Sequence, residues 1–357
     1  METLDFQKWA VVAHKDDTGF GRMARDIRKV FGFGRHVVIP SERLTDWPLN
    51  GVDEVILQKD ASEEQTAAAL EGLQGILFFE RLAWSRHLVK VARRLGIRVT
   101  CVPMWEWFTG EDRGWNDVDL IICPHPFAEQ VVRSYGWRRV VSLPWPIDLE
   151  FLPRREISGP ARVFIHNAGL VDRDDRKGTR DTIKAFRKVR RDDVRLIVRI
   201  QTPVDLPGLD PRIRVEFGNL PSASDLYAEG HAAIQPSKME GIGFMVLEPV
   251  CAGIPTLTID YPPMSDWVRD PQFRCSTRWF KRKAYATNWI KHSHLRLANT
   301  RDLARRIEWC AENDMAPFSE SNRRWTRKAF DPAALRELWA QTLTRELHLP
   351  APATVKV

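Results

Sequence analysis

Two glutamates eight residues apart, Glu240 and Glu248, mark the stretch of this 357-residue sequence best equipped for chemistry: Gln235-Pro-Ser-Lys-Met-Glu-Gly-Ile-Gly-Phe-Met-Val-Leu-Glu-Pro-Val-Cys-Ala-Gly253. A strand predicted at 232–235 turns through Pro236 and Ser237, presents Glu240, and enters an apolar helical segment through two glycines. Such a turn leaves backbone N–H groups at the positive end of a helix, which suits a phosphate. Eight helical residues span roughly 12 Å, so one carboxylate could sit at each end of a diphosphate lying across the helix start. One would accept from sugar hydroxyls and the other from ribose hydroxyls. The same spacing also fits a core helix with two surface glutamates. The chemical reading fails if both carboxylates lie away from a cleft, or are buried in ion pairs with no room for a sugar nucleotide.

The elements around this stretch follow a βα rhythm. Strands are predicted at 9–14, 37–40, 54–57, 75–79, 99–102, 120–123 and 140–143, with helical patterns at 22–31, 63–73, 86–95 and 126–135. Alternation of this kind gives a parallel sheet with helices on both faces. Residues 143–160 carry four prolines and no period, so they read as a connection. The rhythm restarts with strands at 162–166, 195–200, 214–217, 232–235 and 256–259 and helices at 180–189 and 222–229. The expected organisation is a Rossmann-like domain over 1–150, a second over 151–330, and a last segment, 331–357, whose helix at 332–347 crosses back to the first domain before a frayed tail at 350–357. Ligands of open parallel sheets bind beyond the carboxyl ends of the strands. Gly19 and Gly21, the loop after Val102, His125, the loop after His166 and Glu240 would converge on a cleft between the two domains.

Composition narrows the partners. The formal charge of +7 allows a nucleotide, a nucleic acid or an anionic membrane without choosing among them. Five cysteines without paired spacing fit reduced thiols in a cytoplasmic protein. No apolar stretch reaches the length of a signal peptide or a membrane span, so a soluble or peripheral protein is expected.

In the second half, Lys177-Gly178, Phe217-Gly218-Asn219-Leu220, Tyr227, Pro236-Ser237-x-x-Glu240-Gly-x-Gly-Phe244, Glu248 and Ala252-Gly253-Ile-Pro255 occur in order. This series resembles the retaining glycosyltransferases of the GT-B fold that carry a Glu-x7-Glu motif, the family-four-like group. The resemblance covers about 143–268; the first half resembles the family only in its βα pattern, the Gly-Phe-Gly turn and the Pro-Trp-Pro-Ile-Asp exit. It implies an α/β GT-B fold and a nucleotide-diphosphate sugar donor. Glu240 would orient the donor sugar and Glu248 hold the ribose. The amides of Gly241, Ile242, Gly243 and Phe244 would hold the diphosphate with Lys177, and the backbone at Leu220 would meet the base. Reaction would proceed by front-side displacement with retention, with no metal or other cofactor.

Three departures stand out. Val171 occupies the place of an arginine usual in the family, so Arg173 or Arg176 must substitute. Pro249 removes a helix N–H, so the helix must begin late or kink. Many members carry a histidine on the acceptor side, where this chain reads Val102-Pro-Met-Trp-Glu-Trp-Phe108. Glu106, between Trp105 and Trp107, could take a proton from an acceptor hydroxyl or bond a ring stacked on an indole; equally, it could sit in a salt bridge in a loop held by its tryptophans. His125 is the other acceptor-side candidate, or a structural residue at a strand end. His166 and Arg199 have weaker claims, and Gly19 and Gly21 could serve only a tight turn.

Residues 269–296 interleave cations, among them Arg278, Lys281, Arg282 and Lys283, with Trp279, Phe280, Tyr285 and Trp289. Nucleic-acid surfaces use this mixture. A hydroxymethylated pyrimidine in duplex DNA, as for phage-type DNA-modifying enzymes, is therefore one acceptor hypothesis. A basic face for an anionic membrane bearing a lipid or polysaccharide acceptor is another. A solvated basic helix is a third, and an inactive scaffold that only binds nucleic acid is the alternative to an enzyme. Read as a helix, the segment stacks like charges on neighbouring turns, which favours a polyanion.

Overall fold

The computed structural model describes residues 4–16, 18–40, 53–80, 87–110, 113–206, 210–285, 287 and 290–347. The predicted tail at 350–357, Trp289 and Arg86 lie outside them. The chain divides into two compact units, one formed by 1–148 with 330–357 and the other by 149–329.

The first unit holds a seven-stranded sheet. Its strands are β1 (Trp9–Ala13), β2 (Arg35–Val38), β3 (Asp53–Ile56), β4 (Gly75–Phe79), β5 (Arg98–Val102), β6 (Leu120–Cys123) and β7 (Val140–Ser142). They run in the order β3-β2-β1-β4-β5-β6-β7, every neighbouring pair parallel. This is the doubly wound order, whose direction reverses between β1 and β4. Residues of β1, β4 and β6 are buried throughout, as strands covered on both faces require. Helices α1 (Gly19–Phe31), α2 (Glu63–Leu70), α3 (Leu88–Arg94) and α4 (Pro126–Ser134) connect them. Ser62 and Gln65 form a reciprocal capping box at the start of α2.

The second unit repeats the plan. Strands β8 (Val163–Gly169), β9 (Arg195–Ile200), β10 (Ile213–Phe217), β11 (Ala232–Ile234), β12 (Thr256–Ile259) and β13 (Arg274–Cys275) run in the order β10-β9-β8-β11-β12-β13, again all parallel. Helices α5 (Thr179–Phe186), α6 (Phe244–Cys251) and α7 (Met264–Trp267) follow β8, β11 and β12. The predicted helix at 222–229 is a short 3-10 turn, Ala223–Tyr227.

The basic segment differs from expectation. It is an antiparallel hairpin, β14 (Thr277–Lys283) with β15 (His294–Ala298), and not a helix. Side chains therefore alternate instead of stacking turn upon turn, and the like-charge repulsion expected of a helix does not arise. After α8 (Thr300–Glu312) comes α9 (Ala316–Ala329), which the sequence reading missed. It anchors the start of the unit: Ile157 N–H donates to Ser319 Oγ at 3.1 Å, and Arg323 donates to Arg155 O at 2.8 Å.

The last helix, α10 (Pro332–Leu347), belongs to the first unit. Its Trp339 is fully buried, edge-on to Trp145 with centroids 5.6 Å apart and 5.3 Å from the ring of Phe31. Its indole N–H donates to Pro144 O at 3.0 Å. No described helix is long and apolar enough to cross a membrane.

Trp339 is thus the bolt that holds the returning helix. Trp339→Ala should cost about 3–5 kcal/mol of stability, read from the urea midpoint of the full chain, and Trp339→Phe distinctly less.

Candidate functional site

In the second sheet the strand order reverses between β8 and β11, and the loops leaving those two strands touch. Gly178 makes this possible. It has φ +75, and a Cβ there would stand 2.5 Å from Pro236 O. No side chain fits at that distance, so the pairing of Lys177 with a glycine follows from the approach of two backbones. Lys238 N–H donates to Arg176 O at 2.8 Å, and Lys238 Nζ meets Asp175 Oδ2 at 2.8 Å and Asp181 Oδ2 at 3.4 Å. Lys238 and Asp175 are both buried, so each charge is tolerable only because the other is there. Asp175 also accepts from the amides of Thr179 at 2.9 Å and Arg180 at 3.1 Å, which caps α5. This clamp was missed in the sequence; its signal was a lysine inside the Pro-Ser-x-x-Glu run and paired aspartates before Lys177.

The clamp presents Lys177 to Glu240. Lys177 Nζ lies 2.7 Å from Glu240 Oε1 and Arg176 Nη2 3.9 Å from Oε2. Of the two candidate arginines Arg176 is thus the one beside Glu240, whereas Arg173 lies over the Tyr285 ring, 4.2 Å from its centroid. Burial alone would push the Glu240 carboxyl up; the charges of Lys177 and Arg176 outweigh it, and the group sits below its ordinary value.

The turn ends at Gly243, φ +87, which precedes α6 without any side-chain cap. The Glu240 side chain runs along it, its Cβ 3.5 Å from where a Gly243 Cβ would be. Trp267 pins the turn by donating to Ile242 O at 2.6 Å. The N–H groups of Gly243, Phe244 and Met245 have no acceptor among the described residues. Amides so placed, at the positive end of a helix, are arranged for an anion.

Two expectations need correction. The helix begins at Phe244, so only Glu248 is on it, and the eight-residue helical ruler does not apply; Pro249 is its sixth residue, in keeping with a late start. Neither carboxylate is open: Glu240 is 4% and Glu248 5% exposed. Glu248 Oε2 accepts from the buried Tyr227 hydroxyl at 2.5 Å. The side chains of Lys177 and Arg176, at 21% and 30%, are the parts of the cluster that reach solvent.

The remaining predicted residues fall as follows. Leu220 is half-buried beyond β10, after Gly218 with φ +98. His166 is buried, bonded to Ile234 O at 2.6 Å and Thr179 Oγ1 at 2.9 Å, with its pKa lowered to about 4 by burial. Arg199 pairs with Glu216 at 2.8 Å and Glu229 at 3.1 Å. Both are structural. On the hairpin, Arg278 lies 4.0 Å from Asp181 and Arg282 3.3 Å from Asp174, whereas Lys281 is exposed.

In the first unit, His125 Nδ1 accepts from Ala128 N–H at 3.1 Å and caps α4. Glu106 and Trp105 are buried, and Trp107 is partly exposed. Gly21 is required by a turn, since a Cβ there would lie 1.8 Å from Asp16 O; Gly19 has open space.

Neither a family model nor a curated protein sequence matches this chain. Solved structures do. HepE of Anabaena, in complex with UDP and glucose, superposes with a TM-score of 0.68 at 11% identity, covering 94% of this chain and 99% of its own. A glycosyltransferase from Rickettsia africae gives 0.69 at 9%, over 96% and 99%. The apo lipopolysaccharide outer core galactosyltransferase WaaB gives 0.60 at 13%, over 93% and 99%. The fold is GT-B. In this GT-B chain the Lys177–Glu240 pair stands at the switch point of the second Rossmann-like unit, where open parallel sheets bind ligands.

The pair also sets a pH dependence. Because the folded Glu240 pKa is depressed, its contribution to stability is present above the ordinary carboxylate value and lost as pH falls through the folded one. Lys177→Met should raise that pKa and flatten the acid limb of stability, measured as urea midpoints from neutral pH down through the carboxylate range.

Proposed function

We propose that this chain is a retaining glycosyltransferase that moves a sugar from a nucleotide-diphosphate donor to an acceptor hydroxyl. The observation that carries the reading is the Lys177–Glu240 pair beside the unclaimed amides of Gly243, Phe244 and Met245. The GT-B fold, shared with HepE bound to UDP and glucose, supports it.

In this reading the donor dismantles the resting ion pair. The diphosphate takes Lys177 and Arg176 and rests on the amides at the start of α6, while a sugar hydroxyl replaces Lys177 on Glu240. Glu248 accepts from the ribose beside Tyr227, and the backbone at Leu220 meets the base. The bond between the anomeric carbon and the phosphate oxygen breaks with its electrons going to the diphosphate. The acceptor oxygen bonds to the same face, and its proton passes to the departing phosphate oxygen. Cations and helix amides stabilise the charge that develops on the leaving group. Since the leaving group takes the proton, neither Glu106 nor His125 is needed as a base. The role that sequence alone assigned to a metal-free site falls to Lys177 and Arg176, and a reducing, cytoplasmic setting suits the five free thiols.

The basic segment gives less support to a modified DNA base than its sequence did, because the like-charge stacking of a helix is replaced by a hairpin on which Arg278 and Arg282 face the chain's own aspartates; a lipid or polysaccharide acceptor is equally compatible with the fold.

With UDP-glucose as the probe donor, Glu240→Gln should lower turnover on the order of a hundredfold or more while leaving the fold intact; turnover at the wild-type rate would remove Glu240 from the mechanism. Glu248→Gln should instead weaken donor affinity about tenfold, read by calorimetry. Turnover should survive treatment with a chelator.

A further inference from the structure

The β14–β15 hairpin carries more positive charge than its own residues balance. Between Thr277 and Ala298 the sequence carries six Lys or Arg residues and neither Asp nor Glu. Two arginines on it, Arg278 and Arg282, pair with Asp181 in the first turn of α5 and with Asp174 on the loop that bears Lys177. Lys283 closes the hairpin on itself, its ammonium donating to Ile290 O at 2.6 Å. Lys281 and Lys291, both exposed, meet no carboxylate among the described residues. His292 and His294 are held below their ordinary pKa by partial burial and by Lys281, Lys283 and Lys291 around them, the mark of a positive field without a counter-charge.

An apolar bulge stands beside this field. Thr277 pairs with Ala298 and Lys281 with Arg296, so residues 278–280 stand opposite Leu297 alone, and the strand bulges. The bulge carries Trp279, 94% exposed, with Phe280 edge-on to it at 5.4 Å. A lone indole in water gains nothing by that position. Nucleic-acid surfaces use rings to stack on unpaired bases, and a β-ribbon in a major groove reads base edges chiefly with polar side chains, a use that an exposed Trp279 does not favour. A bilayer interface offers what both features need: a headgroup zone that accepts an amphipathic indole, and anionic charge beside it for the lysine ammoniums.

We infer that the β14–β15 hairpin seats this protein on an anionic lipid surface, with Trp279 entering the headgroup region and Lys281 and Lys291 on the lipid phosphates. The inference deepens the reading of the chain as a glycosyltransferase by naming where it works, and does not require a particular acceptor.

The test is flotation of the full chain, without donor, on vesicles of phosphatidylcholine alone and of phosphatidylcholine mixed equally with phosphatidylglycerol. Binding is expected only to the anionic vesicles and should weaken with added salt. Trp279→Ala should reduce it roughly tenfold and Lys281→Ala roughly fivefold. Lys291→Glu, outside both strands, gives a variant that leaves the hairpin ladder untouched and should weaken binding at least as much as Lys281→Ala. Equal binding to both vesicle types, no binding to the anionic ones, or wild-type binding by all three variants overturns the inference. So does duplex DNA that strips the protein from vesicles and depends on the same residues, which would assign the hairpin to nucleic acid. Donor hydrolysis by the wild-type protein without vesicles tests the glycosyltransferase reading separately, so either can fail without the other.

Discussion

A carboxylate removed from water needs a cation or hydrogen-bond donors brought to it, and for Glu240 the second unit is arranged to bring a cation. Glu240 is buried, and the positive charge that keeps it ionised comes from the loop after a different strand. Bringing Lys177 within 2.7 Å requires the β8–α5 and β11–α6 loops to touch, and touching requires a residue without a side chain at Gly178. It also requires something to resist the recoil of two loops pulled together. Lys238 and Asp175 supply that with a second buried ion pair, formed from the same two loops in the opposite sense: the lysine is on the loop of the glutamate, and the aspartate on the loop of the lysine.

The second pair costs desolvation of its own and would be weak evidence for stability in general. Its use here is positional. Asp175 accepts from Lys238 and from two amides of α5, so its oxygens are fully committed, and the lysine next to it in sequence but one, Lys177, is directed to Glu240 instead. One lysine is locked and the other keeps a partly exposed side chain. Only the latter can exchange its partner for a ligand.

The sequence conveyed the two sheets well. Runs such as Trp9–Ala13 and Gly75–Phe79 are apolar throughout, and their alternation with helical patterns leaves few architectures besides doubly wound parallel sheets. It conveyed the late start of α6 through Pro249 and the end at Gly253, whose φ is +88. It failed where the pattern was ambiguous. The run Thr-Arg-Trp-Phe-Lys-Arg-Lys has neither a clean period of two nor one of 3.6, and the bulge at 278–280 is what breaks it. Helix α9 was invisible because its buried residues include Ser319 and Thr326, not a stripe of leucines. The burial of Glu240 and Glu248 could not be read at all. A glutamate beside glycines reads as exposed, and only the tertiary approach of Lys177 and of the Tyr227 hydroxyl makes the interior tolerable for it.

Comparison of the helix starts within the chain gives an internal argument for where the ligand goes. Helices α1, α2, α4 and α8 open on Thr18, Ser62, His125 and Asn299, each of which takes an amide with its own side chain. Helix α5 opens on a left-handed glycine that has no side chain to give, and Asp175 reaches in to take its amides. Helix α6 opens on a left-handed glycine too, yet no aspartate comes to it; the nearest acid, Glu240, is turned to Lys177. Leaving amides at a helix start without an acceptor forfeits about 1 kcal/mol that a single serine cap would supply. The short helices α3 and α7 also open without a side-chain cap, so a bare start alone does not mark a site; what sets α6 apart is that its bare start lies at the switch point, next to the turn that carries Glu240 and its partner Lys177. Under the proposed function, the donor diphosphate would span those amides and Lys177.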